Sequence, residues 1–247
     1  MPTAVATGRS GYGEALERLS SAQKKGAGVP AYLRWVNRPL GRRLAAVSYV
    51  AGLSPNQVTL LSSAVSAVGI VMIALAPSTV LAALLASATM LLGYALDSAD
   101  GQLARLTGSS GPSGEFLDHL ADAIRQPATH LAIAVSFVFR DDLVPQWPAV
   151  VAVVFATLSS VWFFGQILAD SLLPKRVASP GSTAPAWMSF VKIPYDVGFL
   201  YLLLVLLPWA TPFMVSYVAL FAFTLGVAVL SLWRKYEALL ATGHREG

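Results

Sequence analysis

Six stretches of this sequence are apolar over the length of a membrane-spanning helix, and no other feature constrains the fold as strongly. A helix needs about 20 mostly apolar residues to cross the hydrocarbon core of a bilayer. The six windows are residues 57–76, 79–96, 115–138, 147–170, 193–209 and 212–232. The chain is 55% hydrophobic and only 12% charged, which argues against an ordinary soluble domain. We therefore predict an all-α, polytopic integral membrane protein with six transmembrane helices.

The distribution of basic residues predicts how these helices cross the membrane. Most Lys and Arg residues fall before residue 57 or on the same side of the six-helix scheme. Because positively charged segments stay in the cytoplasm, we expect a multi-pass protein of the cell membrane whose two termini and 97–114 loop are cytoplasmic. The first 25 residues contain no apolar run, so we expect no cleaved secretory signal. Basic residues spread along one membrane face disfavour nucleic-acid binding.

Residues 30–50 have the pattern of an amphipathic helix beside the membrane. Apolar residues recur there at three- and four-residue steps between arginines. This pattern is typical of a helix in the headgroup plane, or of a cytoplasmic helix packed on the membrane domain. Pro39 and Gly41 predict a kink or break within it. We accordingly divide the chain into a cytoplasmic N-terminal segment with this helix (1–52), a six-helix membrane domain (53–236) and a cytoplasmic tail (237–247).

Four aspartates between the second and third windows carry the strongest chemical signal, and they are Asp97, Asp100, Asp118 and Asp122. Spacings of three and four residues put each pair on one face of its helix, at the cytoplasmic ends of the two spans. Clustered carboxylates near a membrane are costly unless a cation neutralises them. The chain has no cysteine, and carboxylate oxygens favour Mg²⁺ or Mn²⁺, which also bind substrate phosphates. We predict a site for one or two divalent ions and a diphosphate substrate.

Small residues beside the aspartates predict space for that substrate. Gly101 and Ala104 leave no bulk on the helix face next to the first aspartate pair, so a ligand can approach the backbone closely. Gly114 lies one turn before Asp118 and leaves room for a flat base. The planar guanidinium of Arg105 can bind a phosphate oxygen with two donors.

Written out, these residues form a pattern with fixed gaps: Asp97-x-x-Asp100-Gly101-x-x-Ala104-Arg105, eight residues, Gly114-x-x-x-Asp118-x-x-x-Asp122. The pattern resembles the signature of the CDP-alcohol phosphotransferases, also called CDP-alcohol phosphatidyltransferases, at every defined position. The resemblance extends to the six-span layout with cytoplasmic termini and to the start of the first span, at Pro55, Asn56 and Thr59.

The resemblance implies a reaction in phospholipid biosynthesis and a set of roles. An acceptor hydroxyl attacks the phosphorus that bears the alcohol of a CDP-alcohol and expels CMP. The implied metal ligands are Asp97, Asp100, Asp118 and Asp122, of which Asp118 and Asp122 are also the implied catalytic residues. Asp122 either completes the metal site or takes the acceptor proton. The implied nucleotide-pocket residues are Gly101, Ala104, Arg105, Gly114, Asn56 and Thr59. The implied partners are the CDP-alcohol donor, the acceptor, membrane lipids and a second copy in a homodimer.

Several alternatives remain open at this level. The donor is CDP-diacylglycerol, or a soluble CDP-alcohol such as CDP-inositol with an inositol phosphate acceptor. Arg125 either contacts an acceptor phosphate or neutralises the aspartates, and Asp170 and Asp196 are either acceptor ligands or interfacial charges. A membrane prenyltransferase also binds diphosphates through carboxylates, but the Ala104–Arg105 step has no place in its motifs. A cation-coupled transporter would need acidic sites nearer the midplane of the membrane.

Overall fold

A computed structural model describes residues 11–21, 29–139, 146–173, 189 and 196–243, and within these ranges it contains helices and no strand. The helices are α1 (Tyr12–Ser21), a π-helix (Leu33–Asn37), α2 (Arg38–Val50), α3 (Pro55–Leu75), α4 (Val80–Thr107), α5 (Pro112–Val138), α6 (Trp147–Leu172), α7 (Val197–Leu203), which continues as a 3-10 turn (Leu204–Leu206), and α8 (Ala210–Gly243).

Four of these helices are long and apolar enough to cross a membrane, namely α3, α4, α6 and α8. The third expected span corresponds to α5, which is long enough but carries Asp118, Asp122 and Arg125 in its first half. The fifth corresponds to α7 and its 3-10 turn, an apolar stretch of only Val197–Leu206 within the described residues. The structure therefore supports an all-helical membrane protein, while the count of six spans stays a prediction.

The α3–α4 hairpin is packed closely because small residues face each other in its interface. A Cβ atom on Gly93 would lie 2.3 Å from Ser66 Oγ, and one on Gly69 would lie 2.6 Å from Met90 Sδ. The Ser62 hydroxyl donates a 2.8 Å hydrogen bond to the Gly93 carbonyl. Such close contact lets backbones and small polar groups associate inside an apolar environment. The hairpin is thus a rigid base for the aspartates at its end.

Aromatic side chains hold α5 against α6 and α8. His130 stacks on Phe155 with ring centroids 3.9 Å apart, and its Nδ1 lies 2.7 Å from the Tyr217 hydroxyl. Tyr217 in turn stacks on Phe213. His130 is buried in this cluster, so a packing role accounts for its contacts.

The helix α4 is longer than the sequence windows predicted. The expected span ended at residue 96 and the expected loop covered 97–114, whereas α4 continues to Thr107 and α5 begins at Pro112. Gly108, with φ 68°, ends α4 in the left-handed conformation that glycine favours. The expected loop is therefore wrong in extent. Polar side chains lower the hydropathy of these helix ends, so the hydropathy windows stopped too early. In the folded protein, tertiary contacts provide partners for these polar side chains.

The helix α2 of the N-terminal segment packs on α4 of the hairpin. The expected irregularity occurs as the π-helix, which ends one residue before Arg38, while Gly41 lies inside α2 and does not break it. Glycine is needed there because a Cβ would lie 2.8 Å from Ser98 Cβ on α4. An interfacial location of α2 stays a prediction.

The last helix also extends past its expected end, since α8 runs to Gly243 rather than stopping near residue 232. Its C-terminal half packs on α6, where Lys235 Nζ lies 2.5 Å from Asp170 Oδ1 and Gln166 Nε2 donates to Ser231 Oγ at 2.8 Å. Asp170 is exposed and paired with this lysine, which fits the interpretation as an interfacial charge.

Candidate active site

Three of the four motif aspartates converge where the ends of α4 and α5 meet. One carboxylate oxygen from each of Asp97, Asp100 and Asp118 lies within 4.8 Å of the others. Asp100 is buried, and the other two are half-buried. The spacing of three residues on α4 brings Asp97 and Asp100 to one face, and α5 supplies Asp118 from the facing helix.

A hydrogen bond from α3 fixes one of these carboxylates. The Thr59 hydroxyl donates to Asp100 Oδ2 at 2.6 Å, and the Gly101 amide donates to Asp100 Oδ1 at 2.5 Å. Thr59 is itself buried. Its observed contact is therefore with a motif carboxylate, whereas the sequence suggested a contact with the nucleotide. A hydroxyl that donates to a carboxylate fixes the orientation of that carboxylate. The protein thereby also fixes the direction of the carboxylate lone pairs that remain free.

Asp122 is bound by Arg125 on the same helix. Arg125 Nη2 contacts Asp122 Oδ1 and lies 2.9 Å from Asp97 Oδ1. The Arg125 side chain is only 7% exposed, and its guanidinium lies 5.9 Å from the centre of the Tyr94 ring. Of the two roles that the sequence left open for Arg125, the contacts favour neutralisation of the acidic cluster.

The cavity between the starts of α3 and α5 and the end of α4, named here the α3 cavity, measures about 500 Å³. All six residues expected to form the nucleotide pocket line it: Asn56, Thr59, Gly101, Ala104, Arg105 and Gly114. Asp100 and Asp118 form its wall towards the aspartate cluster. The structure thus brings the predicted pocket residues together along one surface.

The two motif glycines are not explained by contacts within the protein. A Cβ on Gly101 would meet nothing closer than Arg105 Nη1 at 3.6 Å, and one on Gly114 nothing closer than Asn56 Oδ1 at 3.6 Å. Both are ordinary van der Waals distances, so alanine would fit the protein itself. Space left free at both positions suits a ligand that lies against the backbone.

A second cavity also borders the aspartate cluster. This α2 cavity measures about 320 Å³ and is lined by Asp97, Asp100, Asp118 and Asp122 together with residues that the sequence did not assign to the site: Leu33, Asn37, Arg38, Tyr94, Ser98 and Gln102. Arg105 and Gly101 line both cavities. The sequence signal for this second cavity was the set of arginines in the N-terminal segment. An interfacial helix already explained their helical spacing, so the spacing did not indicate a site.

The donor set fits a hard divalent cation. Three carboxylates offer oxygen atoms in mutual proximity, and no cysteine is present. Mg²⁺ and Mn²⁺ prefer such oxygen ligands and commonly bind one or two carboxylates together with substrate phosphates. Asp97, Asp100 and Asp118 are therefore the residues that could hold the ion, with Arg125 as the internal cation beside them.

The fold and the acidic site together define a helical membrane protein with three aspartates that could hold a metal ion at one end of its helices. The family model of the CDP-alcohol phosphatidyltransferases matches residues 53–233. The chain belongs to this family, which confirms the resemblance found in the motif. A search among curated proteins finds no match to the chain.

Proposed function

We propose that this protein is a divalent-metal-dependent CDP-alcohol phosphotransferase that transfers a phosphoalcohol to an acceptor hydroxyl and releases CMP. The family supports phosphotransferase activity. The observation that carries the proposal is the convergence of Asp97, Asp100 and Asp118, since Asp100 and Asp118 line both cavities. One cavity holds the CMP half of the donor and the other admits the acceptor.

The metal site is formed by Asp97, Asp100 and Asp118, with Asp122 next to it. A bound Mg²⁺ or Mn²⁺ ion would neutralise the clustered carboxylates and stabilise negative charge on the diphosphate and on departing CMP. Thr59 holds the Asp100 carboxylate in place. Arg105, which lines both cavities, binds a phosphate oxygen of the donor.

Asp122 is the residue we assign to the acceptor proton. It lines the α2 cavity and contacts Arg125, which fixes the orientation of its carboxylate. In the reaction, the acceptor oxygen forms a bond to the phosphorus that bears the alcohol. The bond from that phosphorus to the bridging oxygen breaks, CMP leaves with the bridging oxygen, and the acceptor proton passes to Asp122.

The donor we propose is CDP-diacylglycerol. The α2 cavity, at about 320 Å³ and lined by several charged side chains, suits a small polar acceptor and not a diacylglycerol. The diacylglycerol group of the reaction is therefore part of the donor and not of the acceptor. CDP-inositol is the soluble alternative.

We also propose that the protein has six spans and forms a homodimer. Its active site and both termini lie on the cytoplasmic side of the cell membrane.

The test is CMP formation by the purified protein in detergent with Mg²⁺ or Mn²⁺. CDP-diacylglycerol and CDP-inositol are each offered with glycerol phosphate, inositol phosphate, inositol and serine. Acceptor-dependent CMP that disappears in Asp97→Ala and on addition of EDTA supports the proposal. Absence of CMP together with absence of metal-dependent CMP binding overturns it, and substrate flux without CMP would indicate a transporter.

Asp122→Asn separates the two roles of this carboxylate. As a proton acceptor, Asp122 is required for turnover but not for binding, so the variant loses CMP formation while metal-dependent CMP binding persists. Loss of both would assign Asp122 to the metal site. Asp170→Asn is the matched control, because Asp170 is exposed and pairs with Lys235 far along the chain from the cluster.

A further inference from the structure

We propose that the N-terminal segment, which precedes the matched family region, completes the acceptor subsite, and that Arg38 binds an anionic group of the acceptor. The acceptor class is then a small polyol or hydroxy acid that carries a phosphate or a carboxylate besides its reacting hydroxyl. This inference rests on the proposed function and deepens it. The match to the family begins at residue 53, whereas Leu33, Asn37 and Arg38 line the α2 cavity.

The relation between the two cavities assigns the α2 cavity to the acceptor. Phosphoryl transfer proceeds with the attacking and leaving oxygens roughly in line, on opposite sides of phosphorus. The predicted nucleotide residues line the α3 cavity, so CMP leaves on that side. Asp100 and Asp118 line both cavities, which puts the reacting phosphorus between them. The attacking hydroxyl therefore comes from the α2 cavity, where Asp97 and Asp122 lie.

Contacts at three points fix residues 32–37 of the N-terminal segment against α4 and α7. Asp196, buried at the start of α7, accepts a 2.8 Å hydrogen bond from the Leu33 amide. The Tyr32 ring packs on Gly198, where a Cβ would lie 2.1 Å from Tyr32 Cδ1. Asn37 Nδ2 donates to the Tyr94 carbonyl on α4 at 3.1 Å. Residues 32–37 are thus held against α4 and α7.

The turn that carries Arg38 is fixed directly on the motif helix. Gln102 Nε2 donates to the Arg38 carbonyl at 3.1 Å and lies 3.3 Å from Ser98 Oγ. Gly41 permits this approach, since any side chain there would collide with Ser98. The backbone of Arg38 therefore has a defined position beside Ser98 and Gln102, which line the same cavity.

The lining of the α2 cavity carries charges of both signs. Asp97 and Asp122, with Asp100 and Asp118 of the metal site, supply negative charge, and Arg38 and Arg105 supply positive charge. Burial lowers the pKa of Arg38 and Arg34 lowers it further, while Tyr94 raises it, yet an arginine side chain remains protonated at neutral pH. A guanidinium binds carboxylates and phosphates with two parallel donors. An acceptor with an anionic group apart from its hydroxyl matches this arrangement.

The absence of cysteine from the chain permits a binding test that does not depend on turnover. Ser98→Cys introduces a unique thiol in the α2 cavity, and Ser113→Cys introduces one in the α3 cavity. The rate of thiol modification is measured in the full-length protein with Mg²⁺ and CMP. The probes are glycerol 3-phosphate, glycerate and glycerol, and the pair inositol phosphate and inositol.

We expect at least one anionic probe to slow modification at residue 98 by about tenfold, while its neutral counterpart has little effect. The phosphate and carboxylate probes show which anion is preferred. Arg38→Gln should abolish the protection and Arg38→Lys should retain part of it. Protection of Ser113→Cys by CMP in the Arg38→Gln background shows that the variant is folded. Protection that survives Arg38→Gln, or that neutral probes provide equally, overturns the inference.

CMP release separates this inference from the proposed function. With an active donor and acceptor, Arg38→Gln should raise the KM of the anionic acceptor about tenfold or more and leave the KM of the donor nearly unchanged. An unchanged acceptor KM overturns the acceptor role of Arg38 while the transferase activity stands. Arg38-dependent protection by an anion, with neither CMP release from any pair nor metal-dependent CMP binding, would overturn the transferase and leave an anion site.

Discussion

Thr59 and Asp100 lie 41 positions apart in the chain, and the Thr59 hydroxyl donates a 2.6 Å hydrogen bond to Asp100 Oδ2. This bond connects α3 to the aspartate cluster at a point where both residues are buried. It gives one motif carboxylate a fixed orientation before any ligand arrives. Residues that orient metal ligands in this way commonly affect metal affinity or activity by 10- to 100-fold.

Thr59→Val should weaken metal binding because it keeps the shape of the side chain and removes its hydroxyl. We expect the Mg²⁺ concentration for half-maximal CMP release to rise about tenfold. Titration of Mg²⁺ in the CMP assay measures this. Thr59→Ser retains the hydroxyl and should stay close to the wild-type protein; equal defects in the two variants would contradict a role for the hydrogen bond.

Arg125→Gln should destabilise the metal-free protein, since it leaves Asp97 and Asp122 without their internal cation. Breaking a buried ion pair on one side costs about 3 kcal/mol or more. Divalent metal should offset part of this loss, so the difference in Tm between Mg²⁺ and EDTA should be larger than in the wild-type protein. Thermal unfolding in detergent provides the measurement.

Asp122→Asn is the partner variant for Arg125→Gln, because it removes the negative charge that Arg125 Nη2 contacts. The double variant should recover part of the stability lost in Arg125→Gln alone. Strictly additive losses in the two single variants and the double variant would mean that the two residues do not interact energetically.

Gly93→Ala should disrupt the α3–α4 interface, because its Cβ would lie 2.3 Å from Ser66 Oγ. Overpacking of this kind costs about 1–3 kcal/mol. Ser66→Ala removes the nearest atom and should restore part of the stability. Gly226→Ala on α8 is the control, since a Cβ there meets nothing within 4 Å. Comparison of Tm values tests the prediction, and equal Tm changes at Gly93 and Gly226 would refute it.

Asp196→Ala should release the N-terminal segment from α7. The Leu33 amide would lose its 2.8 Å hydrogen bond, and the Gly198 amide would lose the 3.0 Å bond that caps the helix. We expect faster hydrogen exchange over residues 29–38 and a higher acceptor KM. Asp196→Asn still offers an oxygen acceptor, and asparagine is a good helix cap. Exchange rates that do not change in the alanine variant would show that other contacts suffice to hold the segment.

The extent of each helix around the site was predicted only in part. The apolar windows correctly indicated where the long helices lie, but hydropathy ended the second window at residue 96, whereas α4 continues to Thr107. Charged groups on the last turns lower the hydropathy, and only contacts such as Thr59 with Asp100 explain why these turns remain helical and buried. Windows measure composition along the chain and contain no information about such partners.

The sequence by itself determined the class of the protein and the residues of the motif, because both are local properties. Apolar length indicates membrane helices, and spacings of three and four residues place aspartates on one face of a helix. Only the tertiary structure decided that Arg125 binds Asp97 and Asp122 and that Arg38 lines the same cavity as the acidic cluster. The physical reason is that contacts between distant segments, such as the Leu33 amide with Asp196 across 163 positions, depend on how the helices pack and leave no periodic pattern in the chain.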